Sequence, residues 1–209
     1  GPLGEAGELA AALLRERRLG AASRLAPSID VLPVAAALPA HPLLWPQGTQ
    51  VQDVLGGSPQ ALRMARQVRL RGLTEARTLL EAGAADTDED SRWALAMVES
   101  RALSLDDGSL ALCPLVDLLN HEALLDEEEA CCSFVDRAAA GEVELVAGRP
   151  VKEGEELFLE YERCSSAQIF ARYGFAPQSP GGGDAGRCES ALLELEVGDP
   201  GLPGGAEAA

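Results

Sequence analysis

Cys113-Pro114-Leu115-Val116-Asp117-Leu118-Leu119-Asn120-His121 is an apolar run closed by polar groups. Leu115, Val116, Leu118 and Leu119 call for burial, whereas Asp117, Asn120 and His121 cannot follow them inside without hydrogen-bond partners or a use. A helical turn here would set Asp117 and His121, four residues apart, on one face. The stretch is therefore where chemistry is expected.

Downstream, the side-chain period becomes two. Glu142-Val143-Glu144-Leu145-Val146 and Glu156-Leu157-Phe158-Leu159-Glu160-Tyr161 alternate as half-buried strands do. Gly148 to Gly154 reads as the turn between them. Ser165 to Tyr173 reads as a short helix, with Gly174 suited to a left-handed cap. Five of the eight aromatic residues fall between 158 and 175, namely Phe158, Tyr161, Phe170, Tyr173 and Phe175. Pro177 to Gly186 reads as a linker, residues 191–197 as one more strand-like run, and the tail after Pro200 as disorder.

Upstream, the pattern is helical. Residues 5–19 place Leu9, Ala12, Leu13 and Leu19 near one face, and Arg15, Arg17 and Arg18 suit the negative end of the helix dipole. Pro27, Pro33, Pro39, Pro42 and Pro46 then imply extended chain and turns. Ser58-Pro59 has the form of an N-cap followed by a first-turn proline, opening a helix to about Leu80. Gly83 to Asp90 reads as an acidic loop, with Ser91 capping a further helix through Trp93, Leu95, Ala96 and Val98 to Arg101. Leu110 to Leu112 is a short strand.

Composition narrows the function. With 46% hydrophobic residues, 209 residues can build a real core, and the formal net charge of -17 disfavours phosphate-bearing partners such as nucleic acid. It suits a basic protein partner. Lys152 is the only lysine among 17 basic residues. Cys113, Cys131, Cys132, Cys164 and Cys188 are odd in number and form no CxxC pair, so neither a disulfide framework nor a metal site is expected, even with His41 and His121. Free thiols fit an intracellular, reducing compartment. No apolar run reaches membrane-spanning length and no signal peptide is visible, so no membrane partner is expected. Gly1-Pro2-Leu3-Gly4 has the form of a cloning scar.

Three elements, in order, resemble a known family. They are Pro114-Leu115-Val116-Asp117-Leu118-Leu119-Asn120-His121, then Gly154-Glu155-Glu156-Leu157-Phe158-Leu159-Glu160-Tyr161, then Arg172-Tyr173-Gly174-Phe175. Together they resemble the C-terminal half of the SET domain of protein methyltransferases, in the branch typified by the RuBisCO large-subunit methyltransferase. The resemblance implies an α+β fold: a SET-domain β-fold with a large helical insertion. It divides the chain into an insertion over 5–108, the catalytic half over 109–178, and a linker with the start of a C-terminal lobe over 179–209.

The same resemblance implies S-adenosylmethionine as cofactor and a lysine-bearing protein as substrate. It assigns Tyr161 as the catalytic tyrosine, Asn120 and His121 as cofactor-binding, and Arg101, Asp117, Tyr173 and Phe175 as lining the substrate channel. Lysine transfer needs a neutral amine, whose ordinary pKa near ~10.4 a desolvated channel beside positive charge would lower. Alignment then supplies most of the rate. A histidine target, or a non-catalytic SET-like binding module, fits the same motif text.

The chain departs from the family pattern in places. The family's opening Gly-rich strand is not found before residue 5, which implies that this chain binds the cofactor weakly or not at all. Leu70-Arg71-Gly72-Leu73-Thr74-Glu75-Ala76 mimics its wording inside a helical pattern and is read as a decoy. Glu162, Arg163 and Cys164 follow Tyr161 where Gly and a nearby Asn are usual, and Glu122 follows His121 where Ser is usual. Asp126 to Glu129 reads as a solvated acidic loop, Cys131 and Cys132 as ordinary buried or half-buried thiols, and His41 as structural or exposed.

Overall fold

The computed structural model describes residues 3–46, 48–50, 58–122, 130–137, 140–162 and 164–176. The acidic run at 126–129, Cys188 and the strand-like run at 191–197 lie outside the described residues. The architecture is α+β, as the motifs implied. Helices α1 (Glu5–Leu19), α2 (Ala26–Ile29), α3 (Pro59–Glu81) and α4 (Asp88–Arg101) come first. Short strands follow: β1 (Leu103–Ser104), β2 (Leu110–Ala111), β3 (Asn120–His121), β4 (Cys132–Arg137), β5 (Glu142–Ala147) and β6 (Phe158–Leu159). Helix α5 (Ser166–Tyr173) comes after them.

The helix ends obey local chemistry. Ser58 accepts from the Ala61 N–H and Pro59 occupies the first turn of α3. Ser165 and Gln168 form a reciprocal capping box on α5, and Gly174 closes it at φ 79°. A Cβ at Gly174 would also stand 2.9 Å from the Cα of His41, so the cap and the 41–44 turn are pressed together. Helix α4 begins earlier than expected. Thr87, not Ser91, accepts from the Asp90 N–H, and Ser91 is fully buried within the helix. The acidic residues Asp88, Glu89 and Asp90 lie in the first turn, where the helix dipole favours them.

The core lies between α1, α3, α4 and the 3-10 turn Pro42–Leu44, around Leu13, Leu14, Leu43, Leu79, Leu95 and Met97. A fully buried leucine stabilises the fold by about 1.5–3 kcal/mol. Gly72 lets α3 approach this turn: a Cβ there would fall 2.1 Å from Leu43 Cδ2. The proline-punctuated segment, expected as extended chain and turns, holds the 3-10 turns Ala35–Ala37 and Pro42–Leu44 and, unexpectedly, the short helix α2. Its carbonyls are collected by arginines. Arg69, itself buried, donates to the carbonyls of Pro42, Trp45 and Pro46, and Arg92 to those of Leu43 and Trp45. A proline-rich segment thus meets the demand that buried backbone acceptors be paired.

The sheet orders its strands β3-β6-β4-β5. Strands β4 and β5 pair antiparallel from Cys132↔Ala147 to Arg137↔Glu142. The register of the parallel pair β3–β6 is Asn120↔Phe158 and His121↔Leu159, which carries the first motif onto the second. A separate ribbon joins β1 to β2. The alternating run at 156–161 forms strand over only Phe158–Leu159, and β1 and β4 were not anticipated. Asp117 and His121 do not share a helical face: a 3-10 turn spans Val116–Leu118 and the chain then extends into β3. Helix α5 packs on α3 and α4, with Phe170 against Trp45 at a ring separation of 6.3 Å. No helix among the described residues is long and apolar enough to cross a membrane.

Candidate active site

The β3–β6 pairing brings all three motifs together. His121 lies with its ring centroid 5.2 Å from that of Tyr161 and 6.0 Å from that of Phe175. Tyr161 and Tyr173 are 4.9 Å apart, and Tyr173 and Phe175 are 6.1 Å apart. Four rings from three segments form one cluster, with tilted geometries typical of aromatic pairs. Phe175 is its most exposed member, at 38%.

Hydrogen bonds orient the cluster. The Tyr161 N–H donates to His121 Nδ1 at 3.3 Å, so the neutral imidazole carries its proton on Nε2. Burial holds His121 below its ordinary pKa, against opposition from Glu160 and Glu122. The Tyr161 hydroxyl donates to the backbone carbonyl of Leu119. Burial raises its pKa and that of Tyr173, the latter to about 12, so both remain phenols at neutral pH. Asn120 is exposed and its side-chain amide donates to Glu156 at 2.6 Å.

A cavity of about 220 Å³ opens beside the cluster, with Arg101, Asp117, Phe134, Tyr161, Arg172 and Tyr173 in its wall. Four of the seven anticipated residues line it: Arg101, Asp117, Tyr161 and Tyr173. Asn120, His121 and Phe175 do not, although His121 and Phe175 stack on the ring that does. Arg101 donates to the Asp117 carbonyl at 2.6 Å through Nη1, while its buried Nε–H has no partner. Burial raises the Asp117 carboxyl above its ordinary pKa, and the Arg101 charge opposes that.

Phe134 and Arg172 are among the wall residues that sequence reasoning missed. Phe134 lies on β4, which periodicity did not reveal. Arg172 stood inside the quoted Arg-Tyr-Gly-Phe string, where its charge was the available signal. The departures from the family pattern have partners here: Glu162 accepts from Arg172 Nη1 at 3.1 Å, and Glu122 from the Cys131 N–H at 3.2 Å. The sequence 70–76 lies within α3, so it is indeed no strand. Cys131 and Cys132 are buried and free. His41 is fully buried, its Nε2 3.0 Å from the Arg172 carbonyl and its Nδ1 accepting from the Leu43 N–H.

The helices, the small mixed sheet and the Asn-His strand laid beside β6, which leads into Tyr161, constitute the SET-domain fold. More particularly, the fold is that of the large-subunit methyltransferase type. The SET domain of LSMT bound to lysine and AdoHcy matches with a TM-score of 0.60 at 24% identity, over 79% of this chain and 39% of that chain. Rubisco LSMT bound to sinefungin and monomethyllysine matches with a TM-score of 0.57 at 23% identity, over 79% and 38%. Among curated proteins, the chloroplastic fructose-bisphosphate aldolase lysine N-methyltransferase of Arabidopsis thaliana is 30% identical over 99 residues, 45% of this chain and 20% of that protein. The chain thus spans well under half the length of each. No protein-family profile matches it.

Proposed function

We propose that this chain is the catalytic part of an S-adenosylmethionine-dependent protein-lysine N-methyltransferase. The observation that carries the reading is the Tyr161 hydroxyl. Its proton is committed to the Leu119 carbonyl, so its lone pairs are left for a donor in the adjoining cavity. An incoming amine is such a donor.

The wall chemistry supports the same reaction. Arg101 and Arg172 line the cavity together with Asp117 and Glu162, the last paired with Arg172, so the wall carries both signs of charge and it is burial that favours the neutral amine over the ammonium. The rings of Tyr161 and Tyr173 suit the apolar stem of a lysine. Tyr161 stays protonated and serves as an orienting acceptor, since a raised pKa excludes tyrosinate as a base at neutral pH.

The aromatic cluster also fits the cofactor. The aromatic faces at His121, Tyr161 and Phe175 are suited to a sulfonium. When bound, S-adenosylmethionine supplies a methyl group made electrophilic by its sulfonium. Asn120 and His121 would hold it, Tyr161 would act on the reacting centre, and Arg101, Asp117, Tyr173 and Phe175 would bound the substrate channel.

The domain division at 108 and 178 belongs to the same proposal, as does a lysine-bearing, basic protein substrate, for which the net charge of -17 provides attraction. The free thiols favour a reducing compartment, and the chloroplastic relative makes the plastid the first one to examine. Labelled methyl transfer to basic proteins, followed by amino-acid analysis of the product, tests the reading. Methyl-lysine is expected. Methyl-histidine would change the target, and no transfer to any substrate, by this chain or by one extended to carry the opening Gly-rich strand, would remove the enzyme reading.

A further inference from the structure

On the methyltransferase reading above, we propose that Arg172 is a positioning residue that sets the two tyrosine rings of the channel, Tyr161 and Tyr173, relative to each other and to the end of α4. Arg172 is tethered at both ends. Its backbone carbonyl lies 3.0 Å from Nε2 of the fully buried His41, whose Nδ1 accepts from the Leu43 N–H, so Nε2 carries the donated proton. Its side chain reaches three separate segments. Nε donates to the Glu99 carbonyl on α4 at 3.0 Å, and Nη1 donates to the carboxylate of Glu162, the residue after Tyr161, at 3.1 Å. The guanidinium carbon stands 5.5 Å from the centroid of the Tyr173 ring.

One planar group therefore joins the helix carrying Arg101, the chain carrying Tyr161 and the ring of Tyr173. Only a fork can do this at once: an ammonium is a point donor on a flexible stem. The Arg172–Glu162 pair is 34% and 45% exposed, a setting in which ion pairs add little to stability. Its consequence is geometric, at a site where small misplacements of aligned groups reduce rate. An ordinary last-turn arginine would act only through its charge on the helix dipole, and lysine would replace it fully.

The chain contains two tyrosines, Tyr161 and Tyr173, so 3-fluorotyrosine labelling gives two fluorine resonances. Tyr161→Phe and Tyr173→Phe assign them. Arg172→Lys is expected to move both resonances while the melting temperature changes little. Glu162→Gln, which weakens one tether, is expected to move them in the same direction by less. With labelled S-adenosylmethionine and a lysine-rich synthetic peptide, Arg172→Lys should lower kcat about tenfold while leaving the peptide KM within about twofold. Unmoved resonances in Arg172→Lys, or a parental kcat in that variant, would overturn the proposal. A parent protein that transfers no methyl group even when extended to carry the opening Gly-rich strand would overturn the functional reading instead, and the fluorine spectra would then decide the positioning role alone.

Discussion

The Tyr161 hydroxyl is hydrogen-bonded to the carbonyl of Leu119, the residue immediately before Asn120. The strand that presents Asn120 and His121 therefore also dictates which way the phenol points. A pKa raised by burial keeps the proton in that bond.

Tyr161→Phe is accordingly expected to lower kcat by on the order of a hundredfold, about 2–4 kcal/mol of transition-state stabilisation. Cofactor affinity should remain nearly unchanged, because the role proposed for the hydroxyl is on the reacting centre. Steady-state kinetics and calorimetry on the same preparation separate the two. Retention of most of the parental rate would leave Tyr161 as a packed aromatic whose replacement by Phe costs little.

His121→Ala should act in the opposite order. The imidazole packs at tilted angles against both Tyr161 and Phe175, and its Nδ1 accepts the Tyr161 N–H. Its loss is expected to weaken cofactor binding about tenfold or more before any fall in saturated turnover, as removal of a ground-state contact does. A variant with parental cofactor affinity and reduced kcat would instead assign His121 to the chemistry.

What the sequence disclosed and what it hid have physical reasons. Helices α3 and α5 were readable because their ends rest on local chemistry, Ser58 with Pro59 in one and the Ser165–Gln168 box and Gly174 in the other, whereas α1 was readable from its apolar face and the arginines of its last turn. Thr87 was passed over for Ser91 because both can cap, and only the burial of Ser91 inside the core distinguishes them. Strands β1 and β3 are two residues long, too short to carry a period, and β6 keeps only two residues of the alternating run at 156–161. The turn at Asp117 depends on pairing with a segment about forty residues away, and i, i+4 spacing knows nothing of that. The three motifs located the aromatic cluster, but Phe134 joins the cavity only through sheet register. Gly72 stood in a string that imitates a strand motif, and its actual reason is the approach of Leu43.

Arg69 offers a stability test away from the site. Its guanidinium serves the carbonyls of Pro42, Trp45 and Pro46, in a segment whose prolines provide no N–H of their own. Arg69→Met keeps the stem and removes every donor. Arg92 still reaches Trp45, so the Pro42 and Pro46 acceptors lose most. At roughly 1–3 kcal/mol for each buried group left unpaired, a loss of about 3 kcal/mol is expected in urea unfolding. A loss below about 1 kcal/mol would mean that water or a shifted backbone replaces the arginine.

His41 should make stability depend on pH. Burial lowers its pKa from 6.5 to about 4, only partly offset by the contact with the Arg172 carbonyl. The folded protein thus keeps the ring neutral while the unfolded chain protonates it near 6.5. Between these values the unfolded state binds more protons, so the contribution is fully present above pH 6.5 and is lost as pH falls toward 4. The loss amounts to about 2 kcal/mol by pH 5 and about 3 kcal/mol in full. His121, also held below its ordinary pKa, acts with the same sign, so the parent alone cannot isolate His41. His41→Gln can: the amide retains a donor and an acceptor but cannot be charged. Urea midpoints at pH 7 and pH 5 should converge between the two proteins as pH falls, with the variant losing about 2 kcal/mol less than the parent. Parallel losses in both would show that His41 is protonated within the fold and that the acid sensitivity resides in other groups.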